Sequence, residues 1–171
     1  MQNFTPHIYS FILPLFIGTV LLIVKGNYLR SLAQPLSIAI FGAGKTYRAF
    51  IFMPVICGLS SLLLRSALLH AADHLWSFFL GYLLGFIYLL AELPNSYVKR
   101  RLKISAGQSH PAYKKLQYVV DKTDSLVPLC IVYYYISGVS FAVATAIFTV
   151  SLLIHVFFSW LLFRFKIKQN F

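Results

Sequence analysis

Apolar residues fill this chain in long unbroken blocks rather than in the spaced stripes of a soluble helix. Residues 4–24 are almost wholly apolar and end at Lys25-Gly26-Asn27. A mixed segment follows, and residues 50–69 and 75–93 are apolar again. Residues 94–124 are polar, and 125–163 return to hydrophobic sequence. A helix that crosses a bilayer needs about 20 mostly apolar residues. Three blocks meet that length once, and 125–163 is long enough for two, with a turn signal at Ser137-Gly138-Val139-Ser140. The pattern predicts an all-α polytopic membrane protein, a single integral domain over residues 1–171. About five transmembrane helices are expected, at 4–24, 50–69, 75–93, 125–143 and 144–163, with loops at 25–49 and 94–124.

Composition agrees with this layout. The chain is 59% hydrophobic and 17% aromatic, with 11% charged residues and a mean hydropathy of +0.76. A soluble domain carries roughly 25% charged residues. The N-terminus lacks a positively charged leading region and a small-residue cleavage site, so it reads as a retained first span rather than a signal peptide. Cys57 and Cys130 both lie in apolar runs, where a thiol behaves as a small hydrophobe.

Charge then orients the chain. Fifteen Lys and Arg stand against four acids, Asp73, Glu92, Asp121 and Asp124, for a net charge of +11. Apart from Arg65, the basic residues fall after the first, third and fifth spans. With the N-terminus outside, they and the C-terminus all face the cytoplasm, as the positive-inside rule requires. Basic residues that flank spans argue against nucleic acid as the partner. Arg65, near the outer end of the second span, is expected to snorkel. On the outer side His70, Asp73 and His74 have helical spacing, but a solvated turn accounts for them.

The candidate chemistry lies in the two cytoplasmic loops. The first holds IFGAGKTYRA (residues 40–49), whose Gly44-Lys45-Thr46 ends like a phosphate-binding P-loop. That motif needs a glycine five residues before its second one, and Ala39 stands there instead. In the second loop, a helix continuing through Pro94 would place Glu92, Asn95, Ser96, Lys99 and Lys103 in one stripe. Lys114, Gln117, Asp121 and Asp124 form another, backed by Leu116, Val119 and Val120. Asp121 and Asp124 are one turn apart, so both carboxylates can point at one cation. Mg²⁺ is typically held by one or two carboxylates plus substrate phosphates. Lys99-Arg100-Arg101 would also serve as an anchor to anionic lipid, worth about 1 kcal/mol per residue. The two acids favour phosphate chemistry, because acids are scarce here and unfavourable beside anionic lipid.

These residues carry a resemblance. ELPNSYVKRR followed by VDKTDSLVP resembles the CDP-archaeol synthase family, relatives of the CDP-diacylglycerol synthases (phosphatidate cytidylyltransferases). The wider family is marked by Ser-x-x-Lys-Arg, here Ser96, Lys99 and Arg100, and by Asp-x-x-Asp, here Asp121 and Asp124. Its archaeol-type branch has Gly-x-Gly-Lys-Thr-x-Arg before the second span, matching Gly42, Gly44, Lys45, Thr46 and Arg48. IHVFFSWLLFRFKIK also resembles that branch, with His155 matching. The resemblance implies a CTP-dependent cytidylyltransferase, Mg²⁺-dependent, that converts a phosphorylated membrane lipid to a CDP-lipid and releases pyrophosphate. It further implies that Asp121 and Asp124 hold Mg²⁺, with Glu92 as a further metal candidate. Lys99, Arg100 and Arg101 would bind phosphates, Asn95 and Ser96 would supply hydrogen bonds, and Gly44, Lys45, Thr46 and Arg48 would reach in from the first loop. The chain departs from the pattern at Ala43, where the branch has an acid. It departs again at Ile104-Ser105-Ala106-Gly107, where the wider family has a Lys-Asp pair, and at Ser159, where an asparagine is usual. The alternatives are an inactive homologue that binds lipid or nucleotide, and a small membrane transporter.

Overall fold

The computed structural model describes residues 4–24, 30–105, 108 and 113–165. Lys25, Ala106, Gly107, Lys166 and Lys168, which enter the sequence reading, lie outside them. The described residues are helical apart from loops and one isolated bridge between Pro35 and Thr46. The first rod joins α1 (Thr5–His7), a π-helical turn (Ile8–Ile12) and α2 (Leu13–Val24). The turn widens just ahead of Pro14, whose ring would otherwise clash with the carbonyl four residues back. A 3₁₀ turn (Arg30–Leu32) and the short α3 (Ile38–Phe41) lead to α4 (Tyr47–Leu69), and α5 (His74–Arg101) returns antiparallel to it. Then come α6 (Lys114–Thr123), α7 (Leu126–Ser137) and α8 (Phe141–Arg164).

Four segments are long and apolar enough to cross a membrane: Thr5–Ile23, Tyr47–Leu69, His74–Arg101 and Phe141–Leu161. The remaining expected span, 125–143, is shorter than the sequence suggests. Gly138, at φ 59, ends α7 in the left-handed conformation that glycine adopts without strain. Ser140 then caps α8 by accepting from the Val143 N–H, so the last helix begins at Phe141 rather than at 144. At 12 residues α7 is about 18 Å long and does not by itself cross roughly 30 Å of hydrocarbon. Because α8 has 24 residues, the start of α7 lies beside the middle of α8.

The region 94–124, expected as a loop, is largely helical. α5 runs through Pro94 and ends at Arg101. Its stripe does not reach Lys103, which takes φ 57 and closes the helix. Ile104 N–H donates to Lys99 O (2.9 Å) and Lys103 N–H to Arg100 O (3.0 Å), the paired bonds of a Schellman cap. Ile104 is buried behind them.

The seam between α4 and α5 depends on missing side chains. A Cβ at Gly81 would lie 2.4 Å from the Cys57 carbonyl oxygen, and one at Gly85 would lie 2.9 Å from Cys57 Cβ. Gly81 and Gly85 are four apart, the small-residue spacing that lets membrane helices approach closely. Around this seam Phe11, Ile12, Leu15, Met53, Leu84 and Tyr88 form the core, continued on α7 and α8 by Leu129, Tyr133 and Ile147. The outer faces of α4, α5 and α8 expose Leu63, Phe79, Leu153 and Phe157, as helices bounded by hydrocarbon do.

Candidate active site

Three elements bring polar groups to one end of this bundle. On α5, Glu92, Asn95, Ser96 and Lys99 recur every three or four residues and so share a face. Asp121 lies on α6 and Asp124 in the break before α7. The loop ahead of α4 supplies Lys45, held in place by Leu36 N–H donating to Lys45 O (2.8 Å) and Tyr47 N–H to Gln34 O (3.1 Å).

Asn95 ties the acids together. Its Nδ2 donates to Asp121 Oδ1 at 2.8 Å and to Asp124 Oδ2 at 2.6 Å. Both amide hydrogens are used, and both carboxylates converge on one point. Lys99 Nζ donates to Asp121 Oδ2 at 2.6 Å, and the Ser125 N–H donates to Asp124 Oδ1 at 2.8 Å. A second ion pair joins Lys45 to Glu92. The Tyr88 hydroxyl lies within reach of Glu92 and Ser125.

Burial pushes the Asp124 carboxyl above its ordinary value of 3.8; the Asn95 hydrogen bond opposes the rise, and the nearby Glu92 charge adds to it. A carboxyl whose pKa is raised by folding stabilises the protein while protonated. That contribution is complete below the unfolded value and is lost as pH climbs through the raised one. Without divalent cations, Asp124→Asn is therefore expected to melt at a higher temperature than wild type at pH 7. The difference should close as pH falls below about 3.8, which thermal unfolding across a pH series in detergent checks.

The donor set suits a divalent cation only in part. Among the described residues no cluster of three or more His, Cys, Asp and Glu could hold a metal ion. Glu92, occupied by Lys45, does not complete a trio with the aspartates. Two convergent carboxylates are nevertheless what Mg²⁺ uses when phosphates supply further oxygens, so the pair fits as the protein's share of a site.

Arg100 is fixed by the α5 cap, donating from Nη1 to Ile104 O. Its guanidinium crosses the face of Gly42, where a Cβ would sit 2.6 Å from Nε, and Gly42 itself takes φ 83. Nε is buried with no protein acceptor, and the side chain borders a cavity of about 630 Å³.

That cavity has two ends. The polar end is bordered by Glu92, Ser96, Lys99, Arg100, Lys114, Asp121 and Lys122, the apolar end by Ile12, Leu15, Phe16 and Val20 of the first rod and Ile154 and Phe158 of α8. Phe16 and Phe158 pack ring against ring at 4.0 Å between the two walls. Four cations against two acids leave the polar end electropositive. On the α8 wall Ser151, His155 and Ser159 recur every fourth residue, and the buried Ser151 Oγ has no protein partner. A polyanion at one end and an aliphatic tail at the other match these walls.

The match to known families is decisive: residues 7–171 fit the CarS-like family, described as CDP-archaeol synthase. The chain belongs to the CDP-archaeol synthase family. Membership implies a CTP-dependent cytidylyltransferase that makes a CDP-lipid. No curated protein and no solved structure shows a comparable match.

Seen as a CDP-archaeol synthase family member, the chain distributes its motif residues unevenly. Lys45, Glu92, Asn95, Lys99, Asp121 and Asp124 meet in one network, and Ser96 and Arg100 border the cavity beside it. Thr46 instead caps α4, its hydroxyl accepting from the Ala49 N–H. Arg48 follows on the first turn of α4. Arg101 turns to Tyr97, donating from Nε to the hydroxyl at 2.9 Å. Gly44 has open space around its Cα, and Gly44→Ala is expected to change stability by less than about 0.5 kcal/mol, measured by thermal unfolding. Lys114 and Gln117 of the α6 stripe also border the cavity, as does Lys122, buried and 5.3 Å over the Tyr118 ring, which lies off that stripe and carries no signal in its spacing.

Proposed function

We propose that this protein transfers the cytidylyl group of CTP to a lipid phosphate with isoprenoid or acyl tails. The observation that carries the reading is the Asp121–Asn95–Asp124 bridge, with Lys99, at the electropositive end of a cavity whose far end is apolar. The triphosphate lies against Lys99, Arg100, Lys114 and Lys122. Asp121 and Asp124 would hold Mg²⁺, which when bound neutralises charge on the triphosphate. The lipid enters between the first rod and α8, with its tails along Ile12, Phe16 and Phe158. The Ser151, His155 and Ser159 stripe meets its uncharged oxygens.

A phosphate oxygen of the lipid forms a bond to the α-phosphorus of CTP. The bond from that phosphorus to the oxygen bridging to the β-phosphorus breaks, and pyrophosphate leaves. The lipid phosphate is ionised at neutral pH, so the step needs no base. Positioning and charge stabilisation therefore supply much of the rate. Arg100 Nε, a buried donor without a protein acceptor, has the right character to meet an equatorial oxygen. The end of the bundle bearing these groups also carries most of the basic residues, which supports its facing the cytoplasm, the compartment of CTP.

Purified protein given CTP, Mg²⁺ and a panel of archaeol-type and diacyl lipid phosphates should release pyrophosphate with at least one of them. UTP and ATP should serve poorly. Thermal stabilisation by CTP without pyrophosphate release from any lipid would replace this reading with that of a binding homologue.

A further inference from the structure

The opposite end of the bundle holds a second polar cluster that the proposed reaction leaves unused. Arg65 lies one turn before the end of α4, where snorkelling was expected, yet it turns into the bundle. Its Nε donates to Ser77 Oγ at 2.8 Å and its Nη1 to Ser10 Oγ at 2.7 Å. Ser10 and Ser77 are each 1% exposed, so the guanidinium reaches between the π-helical turn and α5. Ser10 in turn donates to Pro6 O at 2.8 Å, so it meets the arginine as an acceptor. Beside them His7 Nδ1 and Tyr133 Oη are 2.8 Å apart. Arg65, Ser10, His7, Tyr133 and Ser137 border a cavity of about 260 Å³, several times the roughly 30 Å³ that one water occupies in the liquid; Ser77 holds the guanidinium from behind.

The charge of this cluster does not balance. A guanidinium stays protonated and offers five N–H donors, and the two bonds of Arg65 go to neutral hydroxyls. The ion pairs Lys45–Glu92 and Lys99–Asp121 both lie at the other end. Asp73, the one acid at this end, is exposed at the start of α5. Charged side chains within membrane-spanning helices pair with one another or mark a binding path, and Arg65 is half-buried. Arg65 has a fork suited to two phosphate oxygens, and a cavity in front of it.

We propose that Arg65, positioned by Ser77 and with Tyr133 and His7 beside it on the cavity wall, binds one phosphate-type anion at the end of the bundle opposite the acid pair. Ser10, Arg65, Ser77 and Ser137 all lie within about two turns of their helix ends at this face, the depth of headgroups rather than of the bilayer centre. The anion is the phosphodiester of a lipid headgroup or free phosphate, and the two are distinguished by experiment. This site stands apart from the cytidylyl-transfer reading and survives its failure.

The test uses full-length protein in zwitterionic detergent, as wild type, Arg65→Gln and Arg65→Lys. Thermal unfolding is followed with inorganic phosphate, with phosphatidylglycerol and with diacylglycerol, and native mass spectrometry counts retained phosphatidylglycerol. Wild type should gain several degrees with phosphatidylglycerol and none with diacylglycerol, and should retain one more lipid per chain than Arg65→Gln. Arg65→Lys, which keeps the charge without the fork, should fall between them. An equal gain from inorganic phosphate alone identifies the free anion as the ligand. If Arg65→Gln fails to fold, Ser77→Ala takes its place and should halve the gain or more. No gain in wild type from either anion, or an equal gain in the variants, overturns the proposal.

Discussion

Asp121→Asn and Asp124→Asn should each lower pyrophosphate release by about 10²-fold or more, the scale set by removing a group aimed at transition-state charge. The two losses should not multiply, because residues acting as one unit are non-additive. Asn95 predicts the same from the other side. Its single amide nitrogen reaches both carboxylates, so Asn95→Leu removes the donor that holds two like charges together. A supporting group of this kind typically costs 10- to 100-fold, and the loss should exceed that of Arg101→Gln, whose partner is Tyr97. The Asp124 change should separate function from stability, with activity lost while the melting temperature at neutral pH, measured without divalent cations, rises. Steady-state rates and melting curves on the same preparations read both.

The second large effect is structural. In Gly81→Val the new Cβ would stand 2.4 Å from the Cys57 carbonyl oxygen, with Ser61 Cβ at 2.6 Å. Neither neighbour is the tip of a flexible side chain, so α4 and α5 must move apart. Overpacking of this kind costs about 1–3 kcal/mol, and the consequence reaches the site. Lys45 rides on the loop leading into α4, whereas Glu92, Asn95 and Lys99 ride on α5, so opening the seam pulls the Lys45–Glu92 pair apart. A lower melting temperature should come with a loss of CTP turnover. Gly44→Ala, in open space, should show neither.

Much of this was legible in the residues, and the reasons differ from one feature to the next. The apolar blocks announced helices because a membrane leaves the backbone little other choice. The stripe from Glu92 to Lys99 was readable because a proline is tolerated within a membrane helix, and α5 continues through Pro94. Asp121 and Asp124 stood out as a pair one turn apart. Their common partner did not, since Asn95 lies 26 residues before Asp121 and no local period joins them. Gly81 and Gly85 carried a packing signal at four-residue spacing that was passed over among so many apolar neighbours. Thr46 belongs to the family's glycine motif, and its hydroxyl also makes the N-cap of α4, a role that the motif does not announce. Arg65 was assigned to the surface because its partners, Ser10 and Ser77, belong to two other helices.

The central claim is that the α-phosphorus of CTP ends on a lipid, and following label measures it most directly. Purified protein, Mg²⁺ and an unlabelled lipid phosphate are incubated with CTP radiolabelled at either the α- or the γ-phosphorus, and the organic phase is counted. The α-label should appear in the lipid fraction and the γ-label only in aqueous pyrophosphate, with neither transfer in Asp121→Asn. Label from the γ-position in the lipid, or α-transfer undiminished in that variant, would contradict the claim.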